Sequence, residues 1–370
     1  NSTNDKILEA LEKEHGHEYE SISDIREYRE TFKLKNTFVD RIPDFVHRYH
    51  FDSRIHAIFR TTRVITGRLA ASDPYLLAQA EHGKFAKDFK AGWEAEDGHV
   101  LAGWDESQLE LRVLADLSQD PVMLEAFRYE CPHRKQWEAG KTACDRDECI
   151  LKSDLHARLA HKIFGIPPSR QDKSKHRLPS KTTNFALSMG MTCYGLMVEL
   201  RRNGVDVDTD GAQQWIDATD TLYKLVPRYK AEKIAEAKRN GYVRFGGRIR
   251  YIGGIRSWDE RLRSEAERFA FSTPIQGTAQ KIMKEAEVVI WNDILMPYYR
   301  DGYFKGGSKG RWVEPLLQVH DAIKVEVAED MADDLHTKMV QAMTKAPTQL
   351  SVPLGVEGEY GPNFRDMKGF

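Results

Sequence analysis

Apolar positions recur at helical spacing through most of the chain and alternate at strand spacing in a few short runs. In the first 60 residues the stretch SISDIREYRETFKLKNTFVDRIP sets its apolar positions at helical intervals. TTRVITGRLAASDP then reads as a loop, and GHVLAGWDESQLELRVLADLS starts as a strand and turns helical after Ser107. Residues 128–268 are mostly helical, with KHRLPSKTTNFALSMGMTCYGL as a central helix and GYVRFGGRIRYIGG as a hairpin. The last hundred residues predict a long helix around STPIQGTAQKIMKEAEVVIWNDIL, a glycine-rich loop DGYFKGGSKG, another helix, and a terminal strand VPLGVEGEYG. Between that loop and the last helix, LLQVHDAIKVEV reads as one half-buried strand with an ionisable pair, His320 and Asp321, in its middle. Strands, then helices, then strands predict an α+β body interrupted by a helical insertion.

With 41% hydrophobic and 30% charged residues, this is the composition of a soluble globular protein. No apolar run reaches the roughly 18 residues a membrane span requires, and the polar N-terminus is not a signal peptide. It lacks an initiator Met, so a fragment of a longer chain is expected. Four cysteines in 370 residues do not make a disulfide scaffold, and a reducing, cytosol-like compartment is expected. The net charge of −2 argues against a polyanionic partner only on average. Residues 131–181 carry 12 Lys and Arg against 6 Asp and Glu, and residues 228–268 again 12 against 6, which leaves −14 for the rest. Two basic segments on an acidic body can line a groove for nucleic acid, or simply be solvated faces.

Asp105 stands where a predicted strand ends, and Asp321 is similarly placed in the later one. Two carboxylates on one sheet can hold a pair of hard divalent cations about 4 Å apart, the arrangement for in-line phosphoryl displacement. The plainer alternative is two aspartates at turns or helix caps. Arg177, Lys181, Phe185 and Met189 recur every fourth residue and so share one helix face: two cations, then an aromatic ring. That face can grip a triphosphate with a sugar behind it, or be a half-solvated amphipathic helix. Cys131, His133, Cys144 and Cys149 form a candidate Cys₃His zinc set within residues 130–150. Their spacings fit finger patterns poorly, so an ordinary charged insertion is the reading preferred.

Side by side, these stretches resemble the family A DNA polymerases, the group related to bacterial DNA polymerase I and its phage counterparts. DESQLELR is similar to the family's first motif, RLPSKTTNFALSMG to its second, and QVHDA to its third. TGRLAASDP, DLHARLAHKIFG and RFAFSTPIQGTA match in the family's order, and the resemblance runs from about residue 20 to the end. It implies a right-hand polymerase fold: an antiparallel-sheet palm from residues 61–127 and 269–370, helical fingers from 128–268, and part of a thumb in 1–60. The rest of the thumb, and any exonuclease portion, is expected upstream in the same polypeptide. It further implies a DNA-directed DNA polymerase joining dNTPs to a primer 3′-hydroxyl on template DNA, in a bacterial or phage-infected cytoplasm, near the nucleoid.

Carried over by residue, the resemblance implies that Asp105 and Asp321 ligate two Mg²⁺. His156, Arg177 and Lys181 would hold the triphosphate, with Lys181 as proton donor to the leaving group. Phe185 would pack on the deoxyribose, Met189 would stand at the template base, and Glu110 would block a ribose 2′-hydroxyl. Arg68, Arg268 and Gln276 would touch primer and template along the minor groove, with His320 near the primer terminus. Four positions depart from the family's pattern: Ala322 for Glu, Met189 for Tyr, Ser272 for Asn, and Glu106 for Tyr, the last adding a charge that need not face the site. Alternatives are a primer-template-binding subunit with weakened catalysis, a single-subunit RNA polymerase, which Glu110 argues against, and a two-metal nuclease, which has no use for the Arg177/Lys181/Phe185 face.

Overall fold

The computed structural model describes residues 8, 11–12, 20–37, 39–48, 54–74, 76, 85–131, 145–297, 312–345, 348 and 350–370. Two helices come first, α1 (Glu20–Thr37) and α2 (Ile42–Arg48), followed by a small antiparallel pair, β1 (Ile58–Arg60) and β2 (Ala70–Ser72). Part of the predicted loop TTRVITGRLAASDP is thus strand. After α3 (Ala86–Ala91) comes β3 (His99–Glu106), which gives way to α4 (Leu109–Ser118) as expected after Ser107. The helical half holds α5 (Pro121–Arg128), α6 (Arg146–Ser153), α7 (Leu155–Phe164), a π-type turn at Lys173–Arg177 and α8 (Leu178–Ser188). It continues with α9 (Cys193–Arg202), α10 (Thr209–Leu222), α11 (Leu225–Asn240) and the predicted hairpin, β4 (Tyr242–Phe245) with β5 (Arg248–Tyr251). The long helix α12 (Glu260–Val289) leads to a second hairpin, β6 (Val313–Val319) and β7 (Ala322–Ala328), then α13 (Ala332–Thr344), β8 (Val356–Gly361) and β9 (Lys368–Gly369). The glycine-rich stretch 301–310 lies outside the described residues.

Two expectations need correction. LLQVHDAIKVEV is not one strand but a tight hairpin: Val319 pairs with Ala322, so His320 and Asp321 are its two-residue turn. Asp321 therefore does not share a strand face with Val319, Ile323 and Val325. The alternation of apolar residues runs unbroken across the turn, which hides it. The second correction is that the central helix is two helices. Gly190 takes φ +63°, a left-handed conformation that only glycine adopts at no cost, and an added Cβ would stand 2.9 Å from the Phe271 ring. Thr192 then caps α9, accepting from the Gly195 N–H at 3.3 Å.

The main sheet is antiparallel in the order β6-β7-β3-β8-β9. Alternation along β3 turns Val100, Ala102 and Trp104 into the main core, where they join Leu109 and Leu114 of α4, Phe271, Ile275 and Ile282 of α12, and Leu335 and Met339 of α13. Trp104 is fully buried and donates its indole N–H to His336 Nδ1 at 3.0 Å, so its one polar atom is satisfied. Truncating such a side chain costs about 3–5 kcal/mol. The opposite face is polar: Asp105 lies across from Ala322 and Glu357, and Gly103 across from Lys324 and Glu359. A rigid, fully packed back holds a charged front, and that front faces the candidate site.

Candidate active site

Asp105 occupies the next-to-last position of β3, on the polar face. The β6–β7 turn brings Asp321 to it: the Glu106 N–H donates to the Asp321 carbonyl at 3.0 Å, and Asp105 pairs in register with Ala322. The turn needs His320 at φ +54°, an uncommon state for a non-glycine residue, and two glutamines anchor it. Gln318 Nε2 donates to the His320 carbonyl at 3.1 Å, while Gln280 Nε2 lies 3.5 Å from that carbonyl and from Asp321 Oδ1. Burial raises the Asp105 carboxyl to about 6, with repulsion from Asp321 and Glu357 adding to it and Lys324 opposing. Asp321 is raised too, chiefly by burial, against the pull of Arg68 and His320. Two carboxylates that resist ionising side by side are poised to accept a cation.

Glu106, one residue on, points the other way from Asp105 and is 2% exposed. Neither carboxyl oxygen has a hydrogen-bond partner, and burial lifts it to about 8, so it is protonated at neutral pH. The charge this departure adds to the sequence is therefore largely suppressed in the folded chain, with Arg112 opposing. Glu110, in the first turn of α4, is 3% exposed, and its Oε1 accepts from Arg68 at 2.6 Å. Burial brings it to about 7, with Arg68 opposing and Asp321 adding. Arg68 thus bridges the electrostatics of Glu110 and Asp321. Its neighbour Gly67 sits at φ +87°, and a Cβ there would meet the Arg248 guanidinium at 2.5 Å.

The predicted face spans the end of the π-type turn, with Arg177, α8 itself, with Lys181 and Phe185, and the residue after α8, Met189. Lys181 and Phe185 are exposed, Arg177 and Met189 partly so, along one side. Arg177 forms an ion pair with Asp154. Asp154 also caps α7, accepting from the His156 and Ala157 N–H groups at 2.9 and 3.1 Å. His156 differs from the other predicted phosphate contacts: it is 6% exposed, its Nδ1 lies 3.0 Å from Asn184 Nδ2, and burial drives it down to about 4. It is a neutral histidine of the α7–α8 interface, leaving only Nε2 for any contact beyond it.

Along α12, Arg268 is partly exposed beside Glu265, and Gln276 Nε2 donates to Met189 Sδ at 2.9 Å. Gln280, one turn later, reaches Asp321, so α12 links the α8 face to the carboxylate pair. Gln280, Lys324, Glu357 and Asp154 were not singled out from the sequence. A cap signature ahead of LHAR marks Asp154, while Lys324 and Glu357 become visible only once strand register is known and Gln280 only once α12 is packed beside the β6–β7 turn.

The donors at the pair are all oxygens, which suits hard cations. Among the described residues no group of three or more His, Cys, Asp or Glu converges on a point. Two carboxylates are nevertheless a fitting set for Mg²⁺, which keeps waters and substrate phosphates as its remaining ligands.

The profile of DNA polymerase family A matches residues 1–366. The chain belongs to that family. It is 32% identical over 369 residues to the thermostable DNA polymerase I of Thermus thermophilus, covering 100% of this chain and 38% of that protein. It is 31% identical over 365 residues to DNA polymerase I of Pseudomonas aeruginosa, covering 98% of this chain and 35% of the relative. The chain therefore spans little more than a third of these relatives' length. Among solved structures, the POL domain of Pol1 from M. smegmatis, in complex with DNA primer-template and dNTP, superposes with a TM-score of 0.78 at 27% identity, over 98% of this chain and 56% of that one. The fold is thus the α+β polymerase fold, with its antiparallel sheet and helical half. No helix among the described residues is long and apolar enough to cross a membrane.

Proposed function

We propose that this chain carries out template-directed DNA synthesis, adding deoxynucleotides to a primer 3′-hydroxyl with release of pyrophosphate. The observation that carries the reading is the meeting of Asp105 and Asp321, more than two hundred residues apart in sequence, at adjoining ends of two hydrogen-bonded strands. In this reading residues 61–127 and 269–370 form the palm, 128–268 the fingers, and 1–60 part of a thumb.

Asp105 and Asp321 would hold two Mg²⁺. Such ions supply a lowered pKa for the attacking hydroxyl and charge neutralisation for the departing pyrophosphate. The chain's own residues do the positioning. Arg177 and Lys181 meet the triphosphate oxygens as point charges on a preformed face, and Phe185 packs on the sugar. The primer oxygen bonds to the α-phosphorus as the bond to the bridging oxygen breaks. Lys181 Nζ is within the exposed face to give a proton to that leaving oxygen. Glu110, buried and pinned by Arg68, fills the space a ribose 2′-hydroxyl would need, so deoxynucleotides are preferred. His156 supports α8, which carries Lys181 and follows directly on Arg177, with Nε2 available to an outer phosphate oxygen. Arg68, Arg268, Gln276 and His320 lie on the primer-template side; Met189, tied to Gln276, stands at the template base.

The test is primer extension by the 370-residue chain on a defined template with Mg²⁺, at low salt. Wild type is expected to extend with deoxynucleotides, and Asp105→Asn and Asp321→Asn each to lose at least a hundredfold in rate, the scale of removing a major transition-state contact. Extension that survives either substitution would sink the two-carboxylate assignment. A preference for ribonucleotides would sink the role of Glu110.

A further inference from the structure

Of the candidate zinc set, Cys131 and Cys149 make an ordinary sulfur contact of 3.3 Å, and His133 and Cys144 lie outside the described residues. A more closely determined meeting lies between α7 and α8, where two buried polar side chains touch: His156 is 6% exposed and Asn184 is 1% exposed. Asn184 Nδ2 donates to the Leu155 carbonyl at 3.2 Å and lies 3.0 Å from His156 Nδ1. The Tyr223 hydroxyl, one residue past α10, donates to the same carbonyl at 3.4 Å.

That carbonyl decides which way round the amide stands. A carbonyl oxygen can only accept, so Asn184 must present its NH₂ end there; the reverse orientation would set two oxygens against each other. The second hydrogen of the NH₂ group then points at His156 Nδ1, which must take it with a lone pair. A neutral imidazole has one donor nitrogen and one acceptor, so the ring proton is on Nε2. The ring is neutral because burial pushes it down to about 4, with the charges of Arg177 and Lys181 adding to the effect and Asp154 opposing it. The two cations and the histidine thus act on one another as a single cluster.

We propose that Asn184 is a positioning residue for nucleotide binding: it fixes His156 in the Nε2–H form, so that the ring meets a triphosphate oxygen as an uncharged donor beside Arg177 and Lys181. The proposal rests on the polymerase reading, and it adds a residue that touches no substrate itself. With the proton on Nδ1, the bare lone pair of Nε2 would face a phosphate oxygen, and two acceptors repel. An imidazolium would donate but would add a third charge to the cluster and make nucleotide binding depend on pH. The pairing with Asn184 gives neither, and the donor is the same throughout the neutral range.

The test reads the ring directly. The 370-residue chain is labelled with nitrogen-15 histidine, and the His156 signals are assigned by their loss in His156→Gln. Wild type is expected to show an unprotonated Nδ1 and a protonated Nε2, unchanged between about pH 5.5 and 8. Asn184→Leu is expected to show the proton exchanging between both nitrogens, with KM for the deoxynucleotide raised about tenfold and kcat changed less than about threefold, the pattern of lost ground-state binding. That variant can fail to fold, and the wild-type spectrum then decides alone. A proton on Nδ1 in wild type overturns the proposal, as does a ring that titrates at the ordinary histidine value, or an Asn184→Leu chain that keeps the wild-type ring signals and KM. A chain with the expected ring signals that extends no primer would sink the polymerase reading and still support the hold of Asn184 on the ring.

Discussion

Glu287 on α12 is a half-buried residue whose carboxyl has only Lys284 opposing its burial, and it makes the fold pH-sensitive in a direction that can be worked out. Burial lifts it from 4.5 to about 7, with Lys284 only partly opposing, and Oε1 has no hydrogen bond. Between those pH values the unfolded chain has already lost this proton and the folded chain still holds it. The folded state then binds more protons, so stability falls as pH rises through this window and levels off above the folded value. At about 1.4 kcal/mol per unit the full cost approaches about 3 kcal/mol, with solvent screening reducing it. Glu287→Gln is therefore expected to match wild type in denaturant melts at pH 4 and to exceed it by about 1–3 kcal/mol at pH 8. A gap that is constant with pH would mean that the carboxyl is not the cause.

At the scale of elements, the hairpin β4–β5 depends on one glycine of α12. A Cβ at Gly277 would stand 2.0 Å from Phe245 Cδ2, and Phe245 is 6% exposed, so the strand lies directly on the helix backbone. Gly277→Ala must push the hairpin off α12, at about 1–3 kcal/mol or more. Phe245→Ala alone opens a cavity costing about 3–5 kcal/mol. In the double variant the new methyl occupies the space the ring left, so its cost is expected to fall at least 1 kcal/mol short of the sum, measurable in a thermal or urea double-mutant cycle. Strict additivity would show that the two residues do not meet.

This same hairpin shows what was legible beforehand. Paired glycines between two β-rich runs announce a turn, and the switch after Ser107 was visible because the period changes from two to that of a helix. The β6–β7 turn was invisible for the converse reason. Its residues His320 and Asp321 include no glycine, proline or asparagine, and Val319, Ile323 and Val325 keep the alternation going across it. The break after Met189 was readable from Gly190 and the cap at Thr192, but the four-residue spacing of Arg177 to Met189 outweighed them. At the site, the motif spacings marked Asp105, Asp321 and the α8 face. The state of each group was not readable, because burial and register set it: Glu106 protonated, His156 neutral, Lys324 and Glu357 flanking Asp105.

For the whole molecule, net charge is the wrong guide to the primer-template DNA proposed as its partner. The chain carries −2 overall, yet residues 228–268 alone are +6, and this segment includes β4, β5 and the start of α12 with Arg268. Phosphate contacts act locally, since each neutralised phosphate releases condensed counterions and the affinity then falls with log salt at about −0.9 per contact. A net-negative protein that binds DNA through a basic face must therefore show a steep negative salt slope, whereas one that binds through uncharged contacts shows almost none. Arg268 has a half-exposed guanidinium held by a loose 3.8 Å approach to Glu265 and a 5.4 Å contact over the Phe269 ring, weak restraints against turning to a phosphate. Arg268→Ala is expected to weaken primer-template binding about tenfold at low salt and to reduce the slope by about one. Arg228→Ala is the control: its side chain is 75% exposed and already bound to Glu232 at 2.9 Å. Fluorescence anisotropy over a salt series reads both quantities. A slope unchanged in Arg268→Ala, or reduced equally in Arg228→Ala, would mean that affinity follows the diffuse charge of the segment rather than a contact made by Arg268.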